Sequence, residues 1–177
     1  CKGTRIKVFT WFSISGMVSN LYKDRTTAEM MHYRHNATCT SMREQRRSQP
    51  GHDHETEFDF TDVYSSKKYD AIREQISLSK NPELDVVLGI NVDGVDAAGS
   101  SMWPWLTINY NFSPFVRSHV ENIKFHGLFR LLKGCSIGSH MLPFVLESIK
   151  LASSGVPVFD AFQNKHGVAR VFFLAAL

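Results

Sequence analysis

The sequence is poor in cysteine, with Cys1, Cys39 and Cys135 as the three examples in 177 residues. Three widely scattered cysteines argue against a disulfide framework and favour a reducing compartment. Long hydrophobic runs are also missing, because no apolar stretch reaches the roughly 20 residues that span a bilayer. The start of the chain lacks the charged-then-apolar order of a secretion signal. We therefore expect a protein that is neither exported nor bound to a membrane.

The sequence also lacks an initiating methionine, and it stops within the apolar run VFFLAAL at 171–177. We interpret it as an internal fragment of a longer protein. Its length is sufficient to bury a substantial core. We expect an N-terminal accessory segment over 1–80 and the first half of a catalytic domain over 81–177.

Acidic residues are scarce in the first part of the chain. Residues 1–50 contain nine Lys/Arg and three Asp/Glu, whereas the rest contains eleven and fourteen. The basic excess includes Arg43, Arg46 and Arg47 in a polar stretch. A patch of this kind could contact nucleic-acid phosphates, or it could be a solvated basic loop.

The accessory segment is expected to be mostly helical and rich in loops. We predict a strand, two helices, a polar loop and a third helix, in that order, at 6–14, 15–23, 26–35, 37–57 and 66–78. Thr26 or Thr27 is a suitable N-cap for the second helix. Asn81-Pro82 follows the end of the third.

The second part of the chain predicts an α/β order of β-β-β-α-β. The expected elements are three strands, one helix and a final strand, at 84–95, 102–110, 119–130, 139–153 and 167–177. The helix carries an apolar stripe that we expect to face the core, formed by Leu142, Val145, Leu146 and Ile149. Three strands, a helix and a strand returning beside the first are the layout of ribonuclease-H-like nucleases and transposases.

Asp93 ends the most apolar of these strands. The run from Leu84 to Val95 is largely aliphatic and β-branched, which is typical of a strand buried on both faces. A carboxylate there needs a partner, which could be the backbone of a turn, a basic side chain or a metal ion. Asp96 is predicted to be an exposed turn residue. We expect Asp93 near the carboxyl end of a central strand, between the strands of 102–110 and 119–130.

Three motifs give the chain a resemblance to a known family: NVDGV at 91–95, SSMWPW at 100–105 and NYNFSP at 109–114. Together they resemble the "DG…S…WP…NlpP" signature of CACTA (En/Spm-like) DNA transposases and related transposase-domain proteins. GVPVFD at 155–160 is similar to the family's "GV-x-x-x-D". TDVY at 61–64 is similar to its "D-x-x-D-G-x-x-y", although Ser65 departs from it, and residues 131–136 depart from the "GPK" type of sequence.

The resemblance implies a ribonuclease-H-like core that cleaves and joins DNA strands with two metal ions, expected to be Mg²⁺. It makes Asp93 the first metal-binding and catalytic acid, and Asp160 either a loop acid or a supporting catalytic acid. The implied partners are transposon terminal repeats and target DNA, with self-association, in the nucleus. The alternative is a degenerate or domesticated derivative that binds DNA or protein without catalysis.

Two segments raise the question of zinc. CKGTR at 1–5 resembles the tail of a "CxxCGxxR" zinc knuckle whose first half is missing. His32, His35 and Cys39 have a spacing that could bind zinc, but a fourth ligand is not evident. Trp103 and Trp105 are expected to pack in the second strand, with base stacking as the alternative.

Overall fold

The computed structural model describes residues 11–47, 62–97, 100–130 and 137–174 as a mixed α/β structure. Its helices are α1 (Ile14–Lys23), α2 (Arg25–Met31), α3 (Tyr33–Arg47), α4 (Lys67–Ser77), α5 (Pro114–Arg117) and α6 (Ile137–Ser153), with a 3₁₀ turn at Val63–Ser65. Its strands are β1 (Val86–Val92), β2 (Val95–Ala97), β3 (Ser100–Asn109), β4 (Lys124–Arg130), β5 (Val156–Asp160), β6 (Lys165–Ala169) and β7 (Val171–Leu174).

The main sheet has β1 near its centre. β1 pairs antiparallel with β3 on one side and parallel with β7 on the other. β4 pairs with the far side of β3, and β2 continues along β3 in the register of β1. The returning strand therefore lies beside the first, as predicted. β1 is flanked by β3 and β7, however, and the expectation that the strand of 119–130 would flank it is wrong.

Both faces of the main sheet are covered, but by different helices. The larger core lies on the face that buries Leu88 and Trp105, and it includes Ile14 and Val18 of α1. A smaller cluster lies on the other face and contains Val87 of β1 and Tyr69 of α4. The larger core thus draws on residues from both sides of position 80.

Glu147 connects α6 to the residues around the start of α1 through hydrogen bonds. Its carboxylate accepts hydrogen bonds from Trp11 Nε1 (3.1 Å), Ser13 Oγ (2.7 Å) and the Ser15 amide (3.0 Å). Burial by itself would raise the pKa of this carboxyl, but these hydrogen bonds outweigh burial and hold the pKa below its ordinary value of 4.5.

Several predicted boundaries differ from the structure. α3 is helical through Arg47, so the first part of the expected loop at 37–57 is a helix. Ile14 belongs to α1, and the strand predicted for 6–14 is seen as a bridge between Trp11 and Gly127, while residues 1–10 lie outside the described ranges. The strand expected at 167–177 is two short strands, of which β6 forms a hairpin with β5.

The face of α6 that contacts the core also differs from the prediction. The stripe of Leu142, Val145, Leu146 and Ile149 is exposed, with side chains 41–63% accessible. The core instead receives Phe144 and Leu151, which lie on another side of the helix and are 7% and 2% accessible. α6 is apolar on both sides, so helical periodicity alone did not identify the inward one.

Candidate functional site

Asp93 lies at the exposed end of the central strand. β1 is buried from Val86 to Gly89 and becomes accessible toward its carboxyl end. Asp93 follows β1 directly and is exposed, with Gly94 beside it. A rigid, partly buried strand therefore presents this carboxylate to solvent, so its ionised form needs no buried partner.

The register explains why the strand breaks at Asp93. Tyr110 donates its backbone N–H to the carbonyl of Val87. Because hydrogen-bonded pairs alternate along an antiparallel ladder, every second residue of β1 after Val87 is expected to form such a pair with β3. The same register, continued past Val92↔Trp105, puts Pro104 opposite Asp93. Proline has no N–H to donate, so the ladder is interrupted there and resumes at Val95↔Met102.

Gly94 is held close to an aromatic ring. A Cβ at this position would lie 3.0 Å from the ring of Trp103, which makes a larger residue a tight fit. Trp103 itself stacks on Phe129 with 6.4 Å between ring centroids, and Trp105 is fully buried. The structure thus places both tryptophans in packing roles, as expected, and Trp105 is inaccessible for base stacking. Asp96, expected in a turn, lies in β2 opposite Ser101.

The strand β7 runs toward the same end of the sheet as Asp93. Its pairing with β1 is parallel, from Val86↔Val171 to Gly89↔Leu174. Because parallel strands point their carboxyl ends to one edge, β7 approaches the region beside Asp93. Groups that follow parallel strands at one edge of a sheet commonly form binding sites.

Asp160 has a different environment. It is the last residue of β5, and its side chain is fully buried. Its Oδ2 lies 2.7 Å from Nε2 of His32, and its Oδ1 accepts hydrogen bonds from the amides of Phe162 (2.9 Å) and Gln163 (3.2 Å). Asp160 therefore caps the turn between β5 and β6 and pairs with His32.

The structure does not bring Asp160 to Asp93. The amide of Ala161 donates to the carbonyl of Tyr22, whose hydroxyl donates to the carbonyl of Leu84 just before β1. Asp93 lies beyond the other end of β1, and an extended strand rises about 3.3 Å per residue. Asp160 thus lies near the start of β1 and away from Asp93, and its contacts with His32 and the turn amides match the first of the two expected roles, that of a loop acid.

Asp62, in the segment matched to "D-x-x-D-G-x-x-y", also has a structural environment. Its carboxylate forms an ion pair with Arg117 of α5 and accepts a hydrogen bond from the hydroxyl of Tyr33 (3.0 Å). The guanidinium of Arg117 lies over the ring of Tyr110, 5.1 Å from its centroid. These contacts connect the 3₁₀ turn, α3 and α5, and no sequence spacing pointed to Arg117.

A polar cavity of about 330 Å³ opens beside the His32–Asp160 pair. It is lined by His32, His35, Asn36, Glu83, Phe162 and Gln163. Burial lowers the pKa of His35, and the positive charge of Arg34 adds to that effect, so the imidazole is neutral at neutral pH.

The predicted zinc ligands are not assembled as a set. His32 is engaged by Asp160, whereas His35 lies near Cys39. Within 11–47, 62–97, 100–130 and 137–174, no group of three His, Cys, Asp or Glu side chains is arranged to hold a metal ion. The CKGTR segment at 1–5 and Cys135 lie outside these ranges.

Comparison with known proteins gives no relatives: no family model, curated protein or solved structure matches the chain. The helices of the described part are too short or too polar for any of them to cross a bilayer. The features of the molecule that bear on its function are therefore the motifs of the sequence and the geometry around Asp93.

Proposed function

We propose that this chain is part of a DNA transposase of the CACTA type, in which Asp93 supplies one carboxylate for cleaving and joining phosphodiester bonds. The strand order β4-β3-β1-β7 supports this proposal, because three antiparallel strands are followed by α6 and by a parallel strand beside the first. Ribonuclease-H-like enzymes share that order. The hairpin of β5 and β6 is then an insertion between α6 and β7.

The observation that carries the proposal is the placement of Asp93. Its carboxylate is exposed at the carboxyl end of the central strand, and the parallel strand β7 runs toward the same edge. Asp93 directly follows β1, so the strand fixes where the chain places this carboxylate at the edge of the sheet. The motif that resembles the family signature includes this same residue.

The described residues do not by themselves fit a complete Mg²⁺ site. Magnesium takes six oxygen ligands in near-octahedral geometry, usually including one or two carboxylates, phosphate oxygens and water. Asp93 is the family-matched acid at this edge, whereas Asp160 already binds His32 and two turn amides. Asp93 is therefore proposed as one ligand among several.

The bond chemistry can be tested with a pair of neighbouring aspartates. Asp93→Asn removes the charge and keeps the shape, and Asp96→Asn makes the same change three residues away in β2. In the full reading frame, with Mg²⁺ and DNA carrying the element's terminal repeats, Asp93→Asn should reduce cleavage by at least about 100-fold. Asp96→Asn should cleave at nearly the wild-type rate. DNA affinity at fixed salt should be similar for all three proteins, because it depends mainly on basic groups.

A different result would reject the assignment. Equal cleavage by the wild type and by Asp93→Asn would show that the Asp93 carboxylate has no role in the reaction and that Asp93 only occupies the break between β1 and β2. Failure of the wild-type protein to bind terminal-repeat DNA would reject the transposase proposal as a whole.

A non-catalytic derivative is the second candidate, and one observation favours it. The exposed stripe of α6, formed by Leu142, Val145, Leu146 and Ile149, is a contiguous apolar surface of the kind used for protein contacts. DNA binding without cleavage, together with loss of a protein partner on Leu146→Lys, would support this candidate.

A further inference from the structure

His35 and Cys39 form a pair of potential metal ligands on one face of α3. They are four residues apart, so they lie one above the other on the helix. Nε2 of His35 is 3.7 Å from Sγ of Cys39, and both side chains are partly accessible. Within the described ranges Cys39 is a free cysteine.

The separation of the two atoms fits a shared tetrahedral ion. Zinc binds thiolate sulfur at about 2.3 Å and imidazole nitrogen at about 2.05 Å, and a tetrahedral angle then separates the two donors by about 3.6 Å. The observed 3.7 Å lies close to that value. Both ligands could therefore bind one ion without a change in helix geometry.

His35 borders a polar cavity that also contains an acidic side chain. Glu83 lines this cavity together with His35, and its negative charge acts on the imidazole in the opposite sense to the positive charge of Arg34. The guanidinium of Arg34 is instead directed at the carbonyl of Pro82 and at the hydroxyl of Tyr69.

We propose that His35 and Cys39 bind a thiophilic divalent ion of the zinc type, with water in its remaining positions on the side of the cavity. Binding replaces the proton of the Cys39 thiol with the metal and releases that proton to solvent. This pair omits His32 from the set of His32, His35 and Cys39 that the sequence suggested, because His32 is hydrogen-bonded to Asp160. It is also independent of Asp93 and of any DNA chemistry.

The experiment uses the untagged chain with Cys1→Ser and Cys135→Ser, so that Cys39 is its one thiol. Titration with Co²⁺ should produce a thiolate-to-metal charge-transfer band that Zn²⁺ removes by competition. Cys39→Ser should abolish the band. His35→Ala should weaken Co²⁺ binding by at least about 10-fold to 100-fold, the range seen when even the outer hydrogen-bond partners of metal ligands are removed. His166→Ala, which changes an exposed histidine, should bind as the parent does.

A second measurement does not depend on cobalt. Zn²⁺ should slow alkylation of Cys39 by iodoacetamide in the parent and should protect it much less in His35→Ala. Circular dichroism should show that α3 persists in each variant, since both positions are partly exposed. No charge-transfer band in the parent, or equal protection in the parent and in His35→Ala, would overturn the proposal and leave a thiol–imidazole hydrogen bond.

Discussion

Replacement of Asp160 by alanine should destabilise the fold strongly, because the carboxylate has three hydrogen-bond donors around it. The change leaves the buried His32 without its partner, which costs about 1–3 kcal/mol. It also frees the amides of Phe162 and Gln163, worth about 0.5–1.5 kcal/mol each. Water can reach the turn, so we expect a total loss of about 3–4 kcal/mol, within the range for breaking a buried pair.

Asp160→Asn separates the parts of this effect. Its side-chain oxygen can still accept from both turn amides, and its amide group can still contact His32. We expect it to lose about 1–2 kcal/mol, mainly from the contact with His32. Asp70→Ala is a matched control, because Asp70 is half exposed and pairs with Arg73 on the surface of α4, so it should change stability by less than about 0.5 kcal/mol.

Urea unfolding monitored by circular dichroism gives the free energies of unfolding, provided that the slope with denaturant is the same for each variant. The order of stability should be wild type and Asp70→Ala, then Asp160→Asn, then Asp160→Ala. If Asp160→Ala were as stable as Asp70→Ala, neither the contact of Asp160 with His32 nor its cap of the hairpin turn would stabilise the fold. Asp160→Asn should also leave DNA cleavage unaffected, in contrast to Asp93→Asn.

Three further changes test other parts of the fold. Glu147→Gln should lower the free energy of unfolding by about 1–2 kcal/mol at neutral pH. Because the pKa of Glu147 is lowered in the folded state, its stabilising effect is complete above pH 4.5 and is lost as the pH falls through the folded-state pKa. The free energy of unfolding should therefore fall less steeply with acid in the variant than in the wild type. Leu146→Ala should change the free energy of unfolding by less than about 0.5 kcal/mol, and Leu151→Ala should lower it by about 2–4 kcal/mol. A larger loss for Leu146→Ala than for Leu151→Ala would show that the stripe containing Leu146 faces the core after all. Gly89→Ala should cost about 1–3 kcal/mol, because its Cβ would lie 2.7 Å from the ring of Tyr110, and a neutral result in thermal unfolding would contradict that contact.

Local patterns predicted the elements whose signal is strong within a short window. The aliphatic run from Leu84 to Val95 predicted a strand, which is observed as β1 over Val86–Val92, and Asp93 lies near its carboxyl end as expected. The helical extension to Arg47 was missed, although Arg43, Arg46 and Arg47 are good helix formers, because the polar composition was interpreted as a loop.

Contacts between distant parts of the chain could not be predicted in this way. His32 and Asp160 are 128 residues apart, and neither has a local spacing that indicates the other. The break at Asp93 depends on Pro104, which can be recognised as its partner only once the register of β1 and β3 is known. The inward face of α6 likewise depends on Trp11, Trp105 and Phe173, which surround Phe144.

The measurement that tests the proposed function most directly is the metal dependence of DNA cleavage by Asp93→Cys. A thiolate at this position is a poor ligand for Mg²⁺, and Mn²⁺ accepts softer ligands. The full reading frame with Asp93→Cys should be nearly inactive in Mg²⁺ and should regain part of its cleavage in Mn²⁺, relative to the wild type in each metal. Cleavage by Asp93→Cys at the wild-type rate in Mg²⁺ would contradict a role for the Asp93 carboxylate in the reaction.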